Sequence, residues 1–322
     1  MVVQSLSHLP PRFLFLGAFT IASFFIITTL RWRSSNFSQL ATPSDGCYPF
    51  PNAADVQIIV KTGANEIYEK LPTQLVSSLQ CYTNPELLIF SDLEQVIGSH
   101  RVHDVLANVT ESVKNGSSFN YYHELQEMKK NRQEINQVTQ SGTDGWDLDK
   151  FKFLHMLVKT WSLRPGLKWY VFIEADTYLF RSNLFLWLDR YDSRKPLYFG
   201  SAAWMNDEAF SHGGSGFILS GAALAQYVAG DYEVAVKWDE TMKKQQYGDQ
   251  GLTRALLEKK VELTNKWPSI QGESPPTLPF GPGPGSNGEY WCQPLITMHH
   301  VTPDDVARVW EIEVQRPNQK VR

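Results

Sequence analysis

The chain has 322 residues and a formal net charge of −4. Because it carries no basic excess with which to neutralise phosphates, a nucleic-acid-binding protein is disfavoured. Hydrophobic residues make up 42% of the chain and charged residues 20%, which is enough apolar mass to offset chain entropy. Global disorder is therefore excluded, and one packed domain, or at most two, is expected.

The first predicted element is an uncharged apolar run at Phe13–Leu30, flanked by Arg12, Arg31 and Arg33. At 1.5 Å per residue this run forms a helix of about 27 Å, close to the thickness of an early-secretory bilayer. It is longer than the apolar core of a signal peptide, and no small-residue cleavage site follows it. We therefore expect a cytoplasmic tail at 1–12, a transmembrane signal anchor at 13–30 and a polar stem at 31–52.

The two signals for the orientation of this anchor disagree. One Arg before the span and two after it would place the large domain in the cytoplasm by the positive-inside rule. Glycosylation acceptor triplets that begin at Asn36, Asn108 and Asn115 suit a lumenal domain instead. The Arg imbalance is small, so we favour the lumenal placement.

The cysteines exclude two classes of site. Cys47, Cys81 and Cys292 are too few for a disulfide scaffold and have no CxxC spacing, so neither a zinc finger nor a thioredoxin-like redox site is expected. Their number allows at most one intrachain disulfide, whose pairing the sequence leaves open.

Short apolar runs alternate with amphipathic stretches across residues 53–315. The predicted buried strands are Val56–Val60, Leu87–Phe90, Trp169–Ile173, Leu197–Gly200 and Leu295–His299. The clearest helical periods lie at Asp147–Trp161 and Asp249–Lys260. This alternation predicts an α/β domain with a mostly parallel central sheet flanked by helices and a ligand crevice at the carboxyl ends of the strands. A Pro- and Gly-rich loop at 274–288 and a short tail at 316–322 complete the chain.

Two carboxylates end the predicted strand that begins at Trp169. Residues i and i+2 of an extended chain share a face, so Glu174 and Asp176 should converge. Such a pair can bind Mn²⁺ or Mg²⁺ together with a diphosphate. Acidic residues also end strands for structural reasons, and this E-x-D is a weaker signal than D-x-D.

A glycine cluster at His212–Ser220 runs into another apolar strand. Gly213, Gly214 and Gly216 permit positive φ and close approach of a ligand to the backbone. The pattern is neither G-x-G-x-x-G nor a P-loop. It predicts either a tight turn or a substrate-lining wall.

Three further positions have two interpretations each. Asp249 opens an amphipathic helix and is either its N-cap or a catalytic carboxylate. His299 and His300 continue a predicted strand, so at most one imidazole should face the crevice, and a buried core histidine is the structural alternative. Lys150 and Lys152 lie near the start of a helix and should be solvent-exposed, with contact to a donor phosphate as the alternative.

In their order and spacing, these motifs resemble the family 31 glycosyltransferases, the fringe and core 1 galactosyltransferase group, and its fungal-type members most closely. The family's W-F-x-K-x-D-D-D-T-Y aligns without gaps with Trp169–Tyr178, its Y-F-G with Tyr198–Gly200 and its G-G-A-G-Y-x-L-S with Gly213–Ser220. Its acidic motif before a helix falls on Gly248–Leu252, and its S-F-H falls on Thr297–His299. The resemblance extends from about residue 146 to about residue 310.

The resemblance implies a GT-A-like nucleotide-sugar transferase fold behind the N-terminal anchor, in the Golgi membrane with a lumenal catalytic domain. The implied reaction is inverting transfer of a hexose, galactose from UDP-galactose, to a glycan hydroxyl in β1,3 linkage. Asp176 and His299 are implied to hold Mn²⁺ or Mg²⁺, and Asp249 is implied to be the general base. The implied donor- or substrate-binding residues are Lys152, Glu174, Gly213, Gly214, Ser215, Gly216 and Trp291.

The chain departs from the family pattern at two places. Ala175 replaces the middle acid of the triple Asp, which the family uses near the nucleotide ribose, and Gly248 replaces one acid of the pair before the helix. These changes favour an alternative function, a non-catalytic glycan-binding or chaperone-like protein on the same fold. A metal-dependent phosphohydrolase is disfavoured because the sequence has no second carboxylate-rich cluster for a two-metal site.

Overall fold

A computed structural model describes Cys47 and residues 50–135, 144–278 and 293–315. The predicted cytoplasmic tail, transmembrane anchor and most of the stem lie outside the described residues, as do Asn36, Trp291, Cys292 and the tail at 316–322. Within the described ranges, no helix has the length and apolar character needed to cross a membrane.

An eight-stranded sheet forms the centre of the domain, in the order β11-β7-β10-β5-β1-β2-β4-β3. Two short ribbons, β12-β6 and β8-β9, accompany it. The strands are β1 Val56–Lys61, β2 Leu87–Ser91, β3 Gln95–Ile97, β4 His100–Asp104, β5 Trp169–Glu174, β6 Tyr178–Leu179, β7 Tyr198–Gly200, β8 Ala202–Met205, β9 Glu208–Ser211, β10 Phe217–Ser220, β11 Leu263–Asn265 and β12 Thr297–Met298.

The sheet is mostly parallel, as the alternating sequence predicts. Strands β4, β2, β1 and β5 are parallel neighbours, and β7 and β11 pair in parallel further along, whereas β10 and β3 run against their neighbours. The α/β class and the mostly parallel sheet are thus confirmed. Assignment to the GT-A-like fold stays a prediction.

Helices cover both faces of the sheet. They are α1 Ile67–Leu75, α2 Glu111–Lys114, α3 Asn120–Lys130, α4 Asp144–Leu163, α5 Arg181–Leu188, α6 Gly221–Val228, α7 Asp239–Lys244, α8 Gly248–Glu258 and α9 Pro303–Gln315, with short 3-10 turns at Ala53–Asp55, Ser117–Phe119 and Val236–Trp238. Alternate residues of β1 serve the two faces. Ile59 packs in the apolar layer beneath α4, whereas Ile58 and Val60 pack in the layer that contains α1 and α5 residues. Both layers hold the carboxyl end of the sheet in place.

The predicted fifth strand, Leu295–His299, is wrong in extent. Only Thr297 and Met298 form β12, because β12 pairs with β6, a ribbon of two residues, rather than with the central sheet. The chain is therefore free to turn at His299, which changes where the two histidines point.

The folded unit also begins earlier than residue 53. Cys47 forms a disulfide with Cys81, so the pairing that the sequence left open is settled for these two residues. Phe50 stacks on Phe185 with ring centroids 5.0 Å apart, and the Asn52 side chain donates a 3.1 Å hydrogen bond to the Phe185 carbonyl. The last residues of the predicted stem are thus part of the domain.

Candidate functional site

A crevice of about 630 Å³ opens at the carboxyl ends of β1 and β5. Its walls come from the first turns of α4 and α8, the glycine cluster before β10 and the turn after β12. The α/β architecture predicts a ligand site at this edge of the sheet. Most of the site residues predicted from the sequence line it, including Lys152, Glu174, Asp176, Gly213, Gly214, Asp249 and His299.

One side of the crevice, here called the lysine side, consists of Lys61, Lys152, Asp92, Asp149 and Glu174. The Lys152 ammonium lies 2.9 Å from Asp92 and 3.5 Å from Asp149. Lys61 pairs with Asp149 and, at 3.0 Å, with Glu174. Burial favours neutral amines, yet the adjacent carboxylates outweigh it and raise the pKa of both lysines. The lysine side therefore keeps both ammonium groups paired, with two lysines against three carboxylates and a formal excess of one negative charge.

Lys152 corrects one expectation from the sequence. Its predicted exposure on the helix surface is wrong, since only 2% of the residue is exposed. The first turns of α4 lie over the end of the sheet, so the side chain points inward and donates a 2.9 Å hydrogen bond to the Thr62 carbonyl. Contact with a donor phosphate would require this buried ammonium to be shared with Asp92.

Glu174 and Asp176 converge as predicted, although β5 itself ends at Glu174. The His299 Nε2 atom lies 3.2 Å from Asp176 Oδ1 and 3.9 Å from Glu174 Oε2. Between the two acids, Ala175 is 2% exposed and packs in the apolar layer of the sheet. The missing middle acid of the family motif thus coincides with a position that is part of the core here.

The adjacent side of the crevice, here called the histidine side, consists of Asp176, His299 and His300. One potential ligand atom from each residue lies within 4.8 Å of the others. Lys70 holds the second oxygen, Oδ2, of Asp176 at 2.9 Å. Burial opposes ionisation of Asp176, but His299 and Lys70 outweigh it and hold the pKa of this carboxyl well below its usual range.

The expectation that at most one imidazole can face the crevice is wrong. His300 has a φ of +53°, so the chain leaves the extended conformation and the strand alternation ends. As a result the two imidazole rings lie side by side, with centroids 3.8 Å apart, and both line the crevice. His299 is buried, as its structural interpretation predicted, and it also faces the site.

The glycine cluster forms both a tight turn and a wall. The Gly216 amide donates to the Gly213 carbonyl at 2.9 Å, and Gly216 has a φ of +79°, which closes the turn. Gly214 touches the histidine side: a Cβ at this position would lie 2.1 Å from the His299 ring. Ser215 is fully buried behind the wall and bonds the His212 ring at 2.8 Å.

Asp249 lies in the first turn of α8 rather than at its N-cap, which is Tyr247. Its two carboxylate oxygens accept hydrogen bonds from the Gly213 and Gln250 amides, both at 2.8 Å. Burial raises the pKa of Asp249, and the two amide donors only partly oppose this. The residue therefore combines a fixed position at the crevice with a carboxyl group that binds a proton more readily than an exposed Asp does.

Phe153 packs between these parts of the site. The Lys61 ammonium lies 4.5 Å from the centroid of its ring, an arrangement for a cation–π interaction. A Cβ on Gly213 would come within 2.9 Å of the same ring, and a Cβ on Gly248 within 2.4 Å. Phe153 thus sets the spacing between the glycine turn and the start of α8.

Sequence reasoning missed several crevice residues: Lys61, Lys70, Asp92, Asp149 and His212. A signal was present for two of them, because Lys61 ends the apolar run of β1 and Asp92 directly follows that of β2, as Glu174 ends β5. Lys70 lies on a helix whose position the sequence does not reveal. His212 precedes the glycine turn, where burial first and then the charges nearby lower its pKa to about 4.

Comparisons with known proteins return little. No family model matches the chain, and no curated protein matches it. Among solved structures, the chain is similar to the galactosyltransferase LgtC in complex with donor and acceptor sugar analogues, at 13% identity and a TM-score of 0.38, over 81% of this chain and 95% of that chain. At this identity and TM-score, the similarity assigns neither a fold family nor a function.

Proposed function

We propose that the chain is a metal-dependent glycosyltransferase that moves a hexose from a UDP-sugar to a glycan hydroxyl. The observation that carries this proposal is the convergence of three motifs distant in sequence. Gly213 donates its amide to Asp249, and the adjacent Gly214 packs against His299, which in turn lies 3.2 Å from Asp176. A carboxylate suited to base catalysis and a candidate metal site therefore flank one glycine turn.

Asp176 and His299 would hold the metal, and the residues present fit this role. One carboxylate oxygen and one imidazole nitrogen point at each other, and the buried His299 Nδ1 has no hydrogen-bond partner among the described residues. A carboxylate and an imidazole together suit Mn²⁺. When bound, the ion would offset the negative charge that develops on the departing diphosphate.

Asp249 would act as the general base. In a single displacement, the acceptor hydroxyl oxygen forms a bond to the anomeric carbon as the bond to UDP breaks, and the hydroxyl proton passes to the Asp249 carboxylate. The Gly213 and Gln250 amides fix this carboxylate while each oxygen keeps a free lone pair. A raised pKa brings the base closer to the working pH, which favours proton uptake in the transition state.

The donor would lie along the glycine wall. Glu174 sits beside the candidate metal site in the position that the family resemblance gives to the nucleotide, and the Gly213–Gly214 backbone permits close approach of the sugar. Lys152 would contact a phosphate of the donor where the lysine side borders the crevice. Ser215 and Gly216 would hold the glycine turn in place through their hydrogen bonds to His212 and Gly213. By resemblance we propose UDP-galactose as donor and an inverted β1,3 linkage as product.

The proposed cellular setting is the Golgi membrane, with a type II anchor at 13–30 and the domain in the lumen. Two observations support it. The Cys47–Cys81 disulfide suits an oxidising compartment. The acceptor residues Asn108 and Asn115 are both exposed and therefore accessible to glycosylation. Endoglycosidase treatment should raise the gel mobility of the expressed protein, and digestion of the domain by protease added to intact microsomes would contradict the placement.

The proposed function is tested by titrating the full chain with UDP-sugars in the presence and absence of Mn²⁺, followed by UDP-release assays. Asp176→Asn should abolish metal-dependent UDP-sugar binding, and His299→Ala should weaken it. Asp192→Asn, an exposed acid paired with Arg194 outside the crevice, is the matched control. Wild-type protein that neither binds nor cleaves any UDP-sugar would overturn the proposal.

One observation favours the non-catalytic alternative. Lysines already neutralise both acids of the motif, Lys70 at Asp176 and Lys61 at Glu174, and Ala175 replaces the third. A glycan-binding protein would need no metal and would keep these ion pairs. It would show glycan-dependent thermal stabilisation without any UDP release, whereas the transferase releases UDP when donor and acceptor are both present.

A further inference from the structure

We propose that His300 is a third protein ligand of the metal, which makes the site one carboxylate and two adjacent imidazoles. This inference rests on the metal site of the proposed function and deepens it. It assigns a residue that the family resemblance does not use, since the S-F-H motif ends at His299. It also makes the site selective for one class of divalent cation.

The three side chains lie close enough together to share one ion. Asp176, His299 and His300 each offer a ligand atom, and these atoms lie within 4.8 Å of one another. Atoms bound to one ion at about 2.0–2.2 Å are separated by roughly 3–4.5 Å, so small side-chain rotations bring the set onto one ion. His300 is exposed and lines the crevice, so an ion can reach the site from solvent.

The backbone around His300 fixes its position beside Asp176. A φ of +53° is unfavourable for a residue with a Cβ atom, and such outliers persist where the surrounding structure enforces them. Here two hydrogen bonds enforce it. The His299 amide donates to the Glu273 carbonyl at 3.2 Å, and the Val301 amide donates to the Asp176 carbonyl at 3.1 Å. The second bond joins the turn that carries the imidazoles directly to the loop that carries the carboxylate.

The protein supplies His300 with no polar partner of its own. Among the described residues its imidazole makes a ring contact with His299, and no hydrogen bond to it is present. Its ring nitrogens therefore stay available beside Asp176 and His299, as a shared ion requires.

The donor set predicts which cation binds. Imidazole nitrogen suits the later first-row metals such as Zn²⁺, Mn²⁺ binds more through oxygen, and Mg²⁺ prefers oxygen ligands and keeps its water shell. Two nitrogens and one oxygen should therefore bind Co²⁺ more tightly than Mn²⁺, as the general order of transition-metal affinities requires, and Mg²⁺ least tightly.

The test is isothermal titration of the full-length protein with MnCl₂, CoCl₂ and MgCl₂ without nucleotide, combined with thermal unfolding in EDTA and in Mn²⁺. The central variant is His300→Asn, because Asn tolerates the left-handed conformation but removes the imidazole. We expect its affinity for Mn²⁺ and Co²⁺ to fall roughly 10–100-fold. Its Tm in EDTA should equal or exceed that of the wild type, since the strain is relieved, while the rise in Tm on adding Mn²⁺ should be lost.

His123→Asn, at an exposed histidine on α3 outside the crevice, is the matched control and should change neither the metal affinity nor the rise in Tm on adding Mn²⁺. His300→Gly repeats the experiment with a residue that accepts positive φ freely. The inference is overturned if His300→Asn binds Mn²⁺ and Co²⁺ like the wild type, or if Mg²⁺ binds as tightly as Co²⁺. Failure of the proposed function looks different: Co²⁺ and Mn²⁺ would bind through His300, but no UDP-sugar would be bound or cleaved.

Discussion

The lysine side and the histidine side of the crevice treat charge in opposite ways. On the lysine side, each ammonium has its carboxylates: Lys152 lies 2.9 Å from Asp92, and Lys61 lies 3.0 Å from Glu174. On the histidine side, Lys70 holds Asp176, but the two imidazole rings beside it lie tilted against each other and the buried Nδ1 of His299 is left without a hydrogen bond among the described residues. Both ammonium groups of the first side are paired within the protein, whereas the second side still offers imidazole nitrogens. We infer that the lysine side stabilises the walls of the crevice and that the histidine side binds the metal ion.

The largest expected effect concerns Asp249, which accepts a hydrogen bond from the Gly213 amide of the glycine turn. Asp249→Asn should keep the fold and the donor affinity, because its one amide oxygen still accepts from the Gly213 amide while the Gln250 amide loses its acceptor. Turnover should nevertheless fall on the order of 10²–10⁴. The loss is measured as the steady-state turnover rate per folded molecule. The exposed first-turn residue Asp304 of α9 supplies a control, and Asp304→Asn should leave turnover unchanged.

The pH profile sharpens the same prediction. Since burial raises the pKa of Asp249, wild-type turnover should fall as the pH drops through that pKa, at a higher pH than an exposed Asp would give. The residual activity of Asp249→Asn should lack this acid limb. A variant that transfers sugar at the parental rate would leave Asp249 with a purely structural role.

The next effect is on stability and tests whether the lysine side is a closed network. Lys152→Met leaves the buried Asp92 carboxylate without its ammonium and should cost about 3–5 kcal/mol in the free energy of unfolding. Lys168→Met breaks an ion pair of similar length, 2.7 Å to Asp55, but at an exposed position, so it should cost at most about 1 kcal/mol. Urea unfolding measures the loss in the free energy of unfolding for each variant. Equal losses would show that burial of the lysine side contributes nothing.

The smallest effect concerns the support of the histidine side. Helix α9 covers the β6–β12 ribbon, and Tyr178 donates a hydrogen bond to Glu313 there. Burial raises the pKa of Glu313 from 4.5 to about 7. The folded state therefore holds this proton more tightly than the unfolded state, so the contribution of Glu313 to stability should be greatest below about pH 4.5 and fall as the pH rises towards 7.

Glu313→Gln should remove that pH dependence and raise the free energy of unfolding by about 1–2 kcal/mol above pH 7, a value discounted for partial exposure. Unfolding curves at pH 5 and pH 8 would show it. Glu311→Gln, at an exposed position on the same helix, should leave the difference between the two pH values unchanged.

The central strands of the sheet could be predicted because their signal is local, whereas β3, β4 and β11 were not predicted. Each predicted core strand, from Val56 to the run that begins at Trp169, is a short apolar segment, and the observed strand differs from the prediction by one residue at its end. The stripe of α4 was predictable for the same reason, since Phe151 and Leu154 lie one turn apart and are both buried. The β8–β9 hairpin escaped prediction because its turn residues, Asn206 and Asp207, are not followed by glycine.

The site was only partly predictable, because its remaining features depend on long-range contacts. Nothing near Lys152 in the sequence indicates that Asp92 will lie beside it, so an ordinary helix-surface lysine was the natural expectation. The position of His300 depends on a positive φ that is enforced by bonds to Glu273 and Asp176. Periodicity assumes regular backbone and fails where the backbone is irregular, which is also where functional residues often lie.

The Phe153 ring has a consequence for which sequences can share this site. A Cβ on Gly213 would collide with the ring at 2.9 Å, whereas its next distinct neighbour, the Asp249 Cβ, lies at an ordinary 3.4 Å. A larger residue at position 213 therefore requires a smaller residue at position 153. Gly248 has no such freedom, because its Cβ would also meet the Lys150 backbone at 2.6 Å. Among homologues we expect positions 153 and 213 to covary in size, while position 248 stays glycine whatever residue occupies 153.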